Sequence, residues 1–182
     1  MSRRAFTLVE LLVVISIIGL LSTIAVVSLG QARIKGYDAK RTADIKQLIT
    51  AMQLYYQDNG IYPNTTTTGS GHLDCDAAAN WYCLGHGSSG SCWHGLYHGC
   101  NALDSALAPY IAKIPDDPVN NTAHEGDAYM YNPNAWGVGA LTGPALLWGY
   151  NEPTSANTCF GGTFGTYDAS TNRYWCAANV VQ

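Results

Sequence analysis

The chain has 182 residues, 47% of them hydrophobic, and a formal charge of −4, so it is long enough for one folded domain with its own core. Beyond Lys46 it carries ten acidic residues against only two basic ones, Lys113 and Arg173. An acidic, lysine-poor surface repels polyanions, so we expect no nucleic-acid binding by this part of the chain.

The first predicted element is an apolar helix. After Arg3 and Arg4, 24 mostly apolar residues run from Phe6 to Leu29 with one acid, Glu10. As a helix this run is about 36 Å long, enough to cross the hydrocarbon layer of a membrane. A cleaved secretory peptide has a shorter apolar core of ~7–15 residues, and a plain membrane anchor gives no reason for Glu10. The basic residues before the span favour a cytoplasmic N-terminus and an exported remainder.

Glu10 is the informative residue of this run. An acid at the centre of a membrane helix costs ~2.5–3.5 kcal/mol, so an acid kept there usually has a charged partner. If a peptidase cut after Ala5, the new α-ammonium group of Phe6 would lie about one helical turn from Glu10. The amine of one copy is then the expected partner of Glu10 in another copy.

An amphipathic second half is predicted to continue the helix through residues 30–60. Its apolar residues recur at steps of three and four, which is typical of a helix with one buried face. They are Ile45, Leu48, Ile49, Met52, Tyr55 and Tyr56. Asp58-Asn59-Gly60 predicts the helix end, and Pro63 prevents its continuation.

Five basic residues lie near the start of this second half, where few acids accompany them. They are Arg33, Lys35, Lys40, Arg41 and Lys46. In a simple membrane anchor such residues would meet lipid headgroups. In an assembly they would meet an acidic face of a neighbouring copy.

These motifs resemble those of type IV prepilins and of the pseudopilins of type II secretion. The resemblance rests on Arg3-Arg4-Ala5 followed by FTLVELLVV, and on the helix ending YYQDNGIYP before residue 64. Two positions depart from the usual family pattern. Ala5 stands where the family usually has Gly, and Val27 stands where it often has the Pro that kinks the helix.

The resemblance implies how the chain is processed and used. A prepilin peptidase would remove the leader, residues 1–5, by cutting between Ala5 and Phe6, and would methylate the amine of Phe6. The span, residues 6–29, would hold the precursor in membrane lipid of the bacterial inner membrane. Copies of the chain would then form a helical filament in register through Glu10 and Phe6, on the periplasmic or extracellular side. The sequence has no P-loop, so an inner-membrane assembly platform would use a separate ATPase.

Residues 61–182 are predicted to form the exported head, with a Cys-rich insertion over residues 72–100. Six cysteines on the exported side predict three disulfides. They are Cys75, Cys83, Cys92, Cys100, Cys159 and Cys176. We prefer nested bridges, Cys75–Cys100 and Cys83–Cys92, around a hairpin tip at residues 85–90 that places Tyr82 opposite Trp93. Sequential pairing of these four is the alternative, and either scheme leaves Cys159–Cys176.

The head is predicted to be α+β, with a small antiparallel sheet packed on the apolar stripe of the long helix. A short helix is expected over residues 101–113, broken at Pro109. A turn-rich loop follows at residues 114–120. The predicted strands are residues 128–131, 145–150 and 173–176.

Oxygen-bearing side chains are concentrated after the short helix, which makes a calcium site one hypothesis. The candidates are Asp116, Asp117, Asn120, Glu125 and Asp127. Their spacing differs from an EF-hand loop, and a solvated turn is the competing interpretation. Cysteines and histidines between residues 83 and 100 would also suit zinc, but the spacing is not that of a standard finger. We expect no other cofactor and no catalytic residue.

The favoured function is therefore a structural filament subunit rather than an enzyme. The tyrosine-rich helix end and the loop at residues 114–120 favour a type II secretion pseudopilus, whereas the Cys-rich insertion favours a surface pilus. A membrane-anchored extracellular binding protein or adhesin is the main alternative. An anchored zinc hydrolase is a third.

Overall fold

A computed structural model describes residues 6–65, 73, 75, 81–85, 91–92, 97–119, 129–134, 141–150, 159, 162, 164–168 and 173–180. The chain divides into two compact units, Met1–Gly36 and Tyr37–Gln182. One helix, α1 (Leu8–Asn59), contributes residues to both units. The continuous long helix predicted from the sequence is confirmed.

Over residues 8–29, α1 exposes apolar side chains on every side, and three of its hydroxyl groups form hydrogen bonds within the helix. The hydroxyls of Ser16, Ser22 and Thr23 each donate to a backbone carbonyl one turn earlier, at 2.7–2.8 Å. Such bonds let a hydroxyl stay in apolar surroundings without an unsatisfied donor.

The end of α1 lies where the sequence predicts it. Gly60 has a φ of 73°, and its N–H donates to the carbonyl of Tyr56 at 2.8 Å. This left-handed conformation suits glycine, because a Cβ would strain it. The side chain of Asn59 also donates to the carbonyl of Tyr55, at 2.9 Å. Asp58-Asn59-Gly60 therefore ends the helix by satisfying carbonyls of its last turn.

The second unit contains an antiparallel sheet and a short helix. Its elements are β1 (Tyr82–Cys83), β2 (Ser91–Cys92), β3 (Tyr97–His98), α2 (Asn101–Leu107), β4 (Met130–Asn132), β5 (Ala145–Tyr150), β6 (Phe164–Asp168) and β7 (Arg173–Asn179). Five strands form one sheet in the order β1-β4-β5-β7-β6, and β2 pairs with β3 separately. The predicted α+β class and antiparallel sheet are confirmed.

The core of the second unit lies between α1 and this sheet. Ile45, Leu48 and Met52 are buried at 0–1% exposure and belong to one cluster with Tyr131 and Trp148 of the sheet. The predicted apolar stripe is therefore the packing face of α1.

The prediction is wrong for one residue of the stripe, Tyr56. Tyr56 is 45% exposed, because it follows buried Tyr55 by about 100° around the helix. It stacks instead on Tyr62, with the ring centroids 4.7 Å apart.

The described strand pairing differs from the hairpin predicted around residues 85–90, because β1 and β2 belong to different sheets. Tyr82 pairs with Tyr131 of β4, and Cys92 pairs with Tyr97 of β3. The placement of Tyr82 opposite Trp93 stays a prediction. Strand β1 pairs with β4, which lies far away along the chain, and Tyr82 is only 2% exposed in this position. The proposed tip beyond Gly85, and Trp93 itself, lie outside the described residues.

The short helix α2 ends just before Pro109, as predicted. Its N-cap is Cys100, whose Sγ accepts the N–H of Leu103 at 3.4 Å. The N-cap also forms a disulfide with Cys75, with 5.4 Å between the Cα atoms. This bond therefore attaches the helix start to the segment that precedes the sheet.

A second disulfide joins Cys159 to Cys176 of β7, with 5.5 Å between the Cα atoms. The two bonds belong to the nested scheme, and the sequential alternative is wrong because Cys75 pairs with Cys100. Cys83 is also disulfide-bonded, but the side chain of Cys92 lies outside the described residues, so the Cys83–Cys92 bond stays a prediction.

Glycine allows the sheet to approach the second disulfide closely. A Cβ at Gly165 of β6 would lie 2.6 Å from Cys159 Sγ. At Gly162 it would lie 2.9 Å from a ring carbon of Trp148. A side chain at either position would force the disulfide or the tryptophan to move.

Candidate functional site

Two polar residues build the start of α1. The N–H and the hydroxyl of Thr7 both donate to Oε2 of Glu10 at 2.8 Å, and the N–H of Glu10 donates back to Thr7 Oγ1 at 3.3 Å. This reciprocal arrangement is a capping box. Because the first N–H groups of a helix have no partner within it, Thr7 and Glu10 supply the hydrogen bonds that the helix start lacks.

Glu10 thus has an intrachain partner before a second copy is present. The hydrogen bonds from Thr7 reduce the cost of placing the acid in apolar surroundings, but they leave its charge uncompensated. Its carboxylate remains available to a cation from another chain. Ala5 lies outside the described residues, so cleavage at the Ala5–Phe6 bond and the pairing of Glu10 with a Phe6 amine stay predictions.

Sequence reasoning missed the role of Thr7. The Thr7-Leu8-Val9-Glu10 spacing is the T-x-x-E signature of a capping box and was the signal that could have found it. A charge argument directed attention to Glu10 alone, because a threonine is not costly in an apolar segment.

The surface beyond this start is apolar and uncovered. Large apolar side chains between Leu8 and Leu29 are 45–78% exposed, and an 18-residue window of α1 has a mean hydropathy of 2.7. Within the described residues, α1 is the one helix long and apolar enough to cross a membrane. An exposed apolar surface this large is unusual for a soluble monomer and marks contact with lipid or with another protein.

A buried ion network occupies the second unit. Arg41 donates through Nε and Nη2 to both carboxylate oxygens of Asp117, at 2.7 and 2.8 Å, and through Nη1 to Asp38 at 2.7 Å. The Arg41 side chain is fully buried. Asp117 also accepts the N–H of Val119 at 2.9 Å. This two-pronged pair attaches the loop after α2 to α1.

Electrostatics explains why Arg41 stays charged there. Burial alone lowers the pKa of Arg41, but hydrogen bonds and charges from Asp117 and Asp38 more than reverse this, so its pKa lies above the ordinary value. Separating a buried pair of this kind is costly in free energy, because each partner would then be a buried charge without compensation.

A second polar group lies beside it. Asp44 accepts hydrogen bonds from Lys40 at 2.6 Å and from the hydroxyl of Tyr129 at 2.7 Å. Burial, followed by the hydrogen bond to Asp44, raises the pKa of Tyr129 well above its usual range. Lys40 also donates to the carbonyl of Asp116 at 3.1 Å.

These contacts correct the expectation that all five basic residues face lipid or a neighbour. The expectation is wrong for Arg41, because this residue is buried and bound to carboxylates of its own chain. Lys40 is also engaged within the chain, by Asp44. Arg33, Lys35 and Lys46 are exposed.

The calcium hypothesis loses two of its ligands to the same contacts. Both oxygens of Asp117 bind Arg41, and Asp116 pairs with Lys113 at 2.8 Å. The other candidates, Asn120, Glu125 and Asp127, lie outside the described residues. Among those that are described, no group of three or more His, Cys, Asp or Glu residues is arranged to hold a metal ion. Cys83 and Cys100, two of the sulfurs considered for zinc, are in disulfides.

Comparison with known proteins agrees with this arrangement. The prokaryotic N-terminal methylation motif matches residues 1–26, which include Thr7 and Glu10. The type IV wide pilus major component of Thermus thermophilus is 31% identical in an alignment of 105 positions that covers 50% of this chain and 79% of that protein. The chain belongs to the type IV pilin family. No solved structure matches it.

Proteins of type II secretion match a shorter part of the chain. The type II secretion system core protein G of Klebsiella michiganensis is 41% identical over 64 residues, and that of Escherichia coli is 41% identical over 63. Each match covers 35% of this chain, and the chain spans only 45% and 43% of those relatives. The likeness to these secretion proteins therefore covers about a third of this chain and less than half of each relative.

Proposed function

We propose that this pilin-family chain is a structural subunit of a type IV filament, either a pseudopilus of type II secretion or a type IV pilus. The observation that carries the proposal is the methylation motif at residues 1–26 on a helix whose apolar side chains are exposed on every side. Lipid covers such a surface in the precursor. Helices of other copies cover it in the filament.

Processing precedes assembly in this proposal. A prepilin peptidase cuts between Ala5 and Phe6 on the cytoplasmic face of the inner membrane and methylates the Phe6 amine. Removal of Arg3 and Arg4 also removes the positive charges that favour the inserted orientation. The shortened chain can then be drawn out of the membrane by an assembly platform with its own ATPase, while the head stays on the exported side.

Glu10 changes partners on assembly. In the single chain its carboxylate accepts two hydrogen bonds from Thr7 at 2.8 Å. In the filament it pairs with the Phe6 amine of another copy, which compensates the charge that hydrogen bonds leave. Because an unpaired acid costs ~2.5–3.5 kcal/mol in apolar surroundings, only the register that joins these charges is favourable. Assembly is head to tail and open-ended, so it gives a fibre rather than a ring.

The experiment is coexpression with a prepilin peptidase and assembly machinery, followed by intact-mass analysis and recovery of sheared filaments. We expect a mature chain that begins at a methylated Phe6 and is present in filaments. We expect a Glu10→Ala variant to be processed but to lose filament-borne protein on the order of a hundredfold, because the amine is left unpaired. An N-terminus other than Phe6, or normal assembly of Glu10→Ala, would contradict the proposal.

A deletion strain distinguishes the two filament types. Loss of an exported enzyme from the medium with surface fibres intact assigns the chain to a secretion pseudopilus. Loss of surface fibres with secretion intact assigns it to a pilus. Glycan binding by a chain that never enters a filament would instead favour the adhesin.

A further inference from the structure

Two exposed cations follow the apolar segment directly. Arg33 and Lys35 lie four and six residues beyond Leu29 and are exposed. Within the described part of the chain, neither side chain takes part in an ion pair or a side-chain hydrogen bond. They therefore differ from Lys40 and Arg41, whose charges are met by carboxylates of the same chain.

Their position is unfavourable for membrane insertion. Lys and Arg within about 15–20 residues of a span favour the cytoplasmic side, yet the proposed orientation exports Arg33 and Lys35. They oppose the signal from Arg3 and Arg4 at the other end of the span. A role after insertion would account for charges that insertion itself disfavours.

The spacing of Arg33 and Lys35 does not suit a partner that contacts only one side of the helix. Residues two apart point in directions about 200° apart on a helix, so Arg33 and Lys35 lie on opposite sides of α1. A subunit within a bundle has neighbours on both sides. Where a neighbouring subunit packs against either cation and excludes water from it, the charge needs an acid from that neighbour.

Other copies of the chain carry the required charge. Ten acidic residues lie beyond Lys46 against two basic ones, and both Asp116 and Asp117 are already paired. Among the described acids, Asp58 is exposed and accepts only a hydroxyl, that of Tyr110, at 2.9 Å. Cations in one copy and acids in another favour a contact between the two copies.

We propose that Arg33 and Lys35 form a basic collar that docks onto the acidic heads of other copies of this chain. This inference rests on the proposed filament function. The collar adds a second register device beyond the pairing of Glu10 with an amine, and it acts outside the apolar bundle. Lipid headgroups are the competing partner for the same charges.

The first test is charge reversal in the host with its assembly machinery. We expect the full chain with Arg33→Glu and Lys35→Glu to lose filament-borne protein by about tenfold or more, because like charges then face each other. Its amount in the membrane stays unchanged and its mature chain still begins at Phe6, since added acids contribute little to orientation. The matched control, Arg33→Lys with Lys35→Arg, keeps the charges and assembles normally.

The second test identifies the partner. A carbodiimide joins Lys35 directly to a carboxylate that contacts it, and mass spectrometry locates the bond. We expect Lys35 joined to a head acid in wild-type filaments and not in detergent-solubilised monomers. The same bond in monomers, or no bond in filaments, overturns the collar.

The outcomes separate this inference from the function beneath it. Wild-type filaments together with normal assembly of the charge-reversed chain overturn the collar alone. Wild-type protein that never forms filaments overturns both. Loss of the charge-reversed precursor from the membrane fraction assigns the two cations to lipid headgroups and overturns the collar.

Discussion

The two units of this chain show how one helix serves two environments. In Met1–Gly36 the apolar side chains of α1 are exposed on every side, and the hydroxyls of Ser16, Ser22 and Thr23 are satisfied within the helix. In Tyr37–Gln182 the same helix buries one apolar face and places a fully buried arginine, Arg41, among carboxylates. The first unit therefore depends on a partner outside the chain for its stability, whereas the second contains its own partners.

The strongest test of this contrast removes the buried cation. We expect Arg41→Ala to lower the free energy of unfolding of the second unit by ~3–5 kcal/mol, because the buried carboxylates of Asp117 and Asp38 lose the arginine that compensates their charge. All five tryptophans lie beyond residue 80, so their fluorescence during denaturant unfolding of the detergent-solubilised chain reports on this unit.

A matched control comes from the first unit. Lys35→Ala removes an exposed, unpaired cation and should change the free energy of unfolding by less than ~0.5 kcal/mol. A double variant, Arg41→Met with Asp117→Leu, should lose less than Arg41→Ala alone, because the Asp117 charge is removed together with the arginine that compensates it. Equal losses in Arg41→Ala and Lys35→Ala would show that the buried network does not stabilise the second unit.

Glycine substitution is expected to have a smaller effect that differs between the units. A Cβ at Gly165 meets Cys159 Sγ at 2.6 Å, so Gly165→Ala should cost ~1–3 kcal/mol through forced repacking. At Gly36 a Cβ meets no atom within 4 Å. Gly36→Ala should therefore be neutral or add up to ~1 kcal/mol of helix stability.

Thermal unfolding followed by fluorescence and by circular dichroism measures both changes. A Gly165→Ala chain as stable as wild type would show that β6 does not pack as closely on the Cys159–Cys176 bond as the structure places it.

The smallest expected effect concerns alkaline pH. The pKa of Tyr129 is raised in the folded chain by burial and by its hydrogen bond to Asp44, so stability is full below the unfolded pKa of ~10 and is lost as pH rises above it. Tyr129→Phe should cost ~1 kcal/mol at neutral pH. It should also weaken the alkaline decline in the free energy of unfolding.

Tyr37→Phe is the control for that decline. Tyr37 is 37% exposed and lies near the start of the second unit. Its replacement should leave both the neutral stability and the pH dependence near those of wild type. Identical alkaline behaviour of the Tyr129→Phe and wild-type chains would contradict a role for this hydroxyl.

The sequence predicted the parts of the molecule that depend on neighbours along the chain. The apolar run, the three- and four-residue steps of Ile45, Leu48 and Met52, and the stop at Gly60 are local signals, and each lies where it was expected. The end of α2 before Pro109 is also a local signal, since proline removes a backbone donor and clashes with the preceding turn.

The remainder depends on residues far apart in the chain. Arg41 and Asp117 are separated by 76 positions, and no local pattern distinguishes a buried arginine from its exposed neighbours. The same applies to Tyr82, whose strand β1 pairs with β4 through Tyr131 and also forms a bridge, between Cys83 and Gly99, to the cysteine segment. β6 was also missed, because its glycine and polar residues weaken any strand pattern.

The assembly state of the processed chain in its host tests the central claim most directly. With the secretion or pilus machinery functional, sheared filaments and membranes are separated, and the mature chain is quantified in each. The account predicts that mature chains beginning at Phe6 are recovered in filaments made of many copies. Mature protein found only as single copies in the membrane would contradict it.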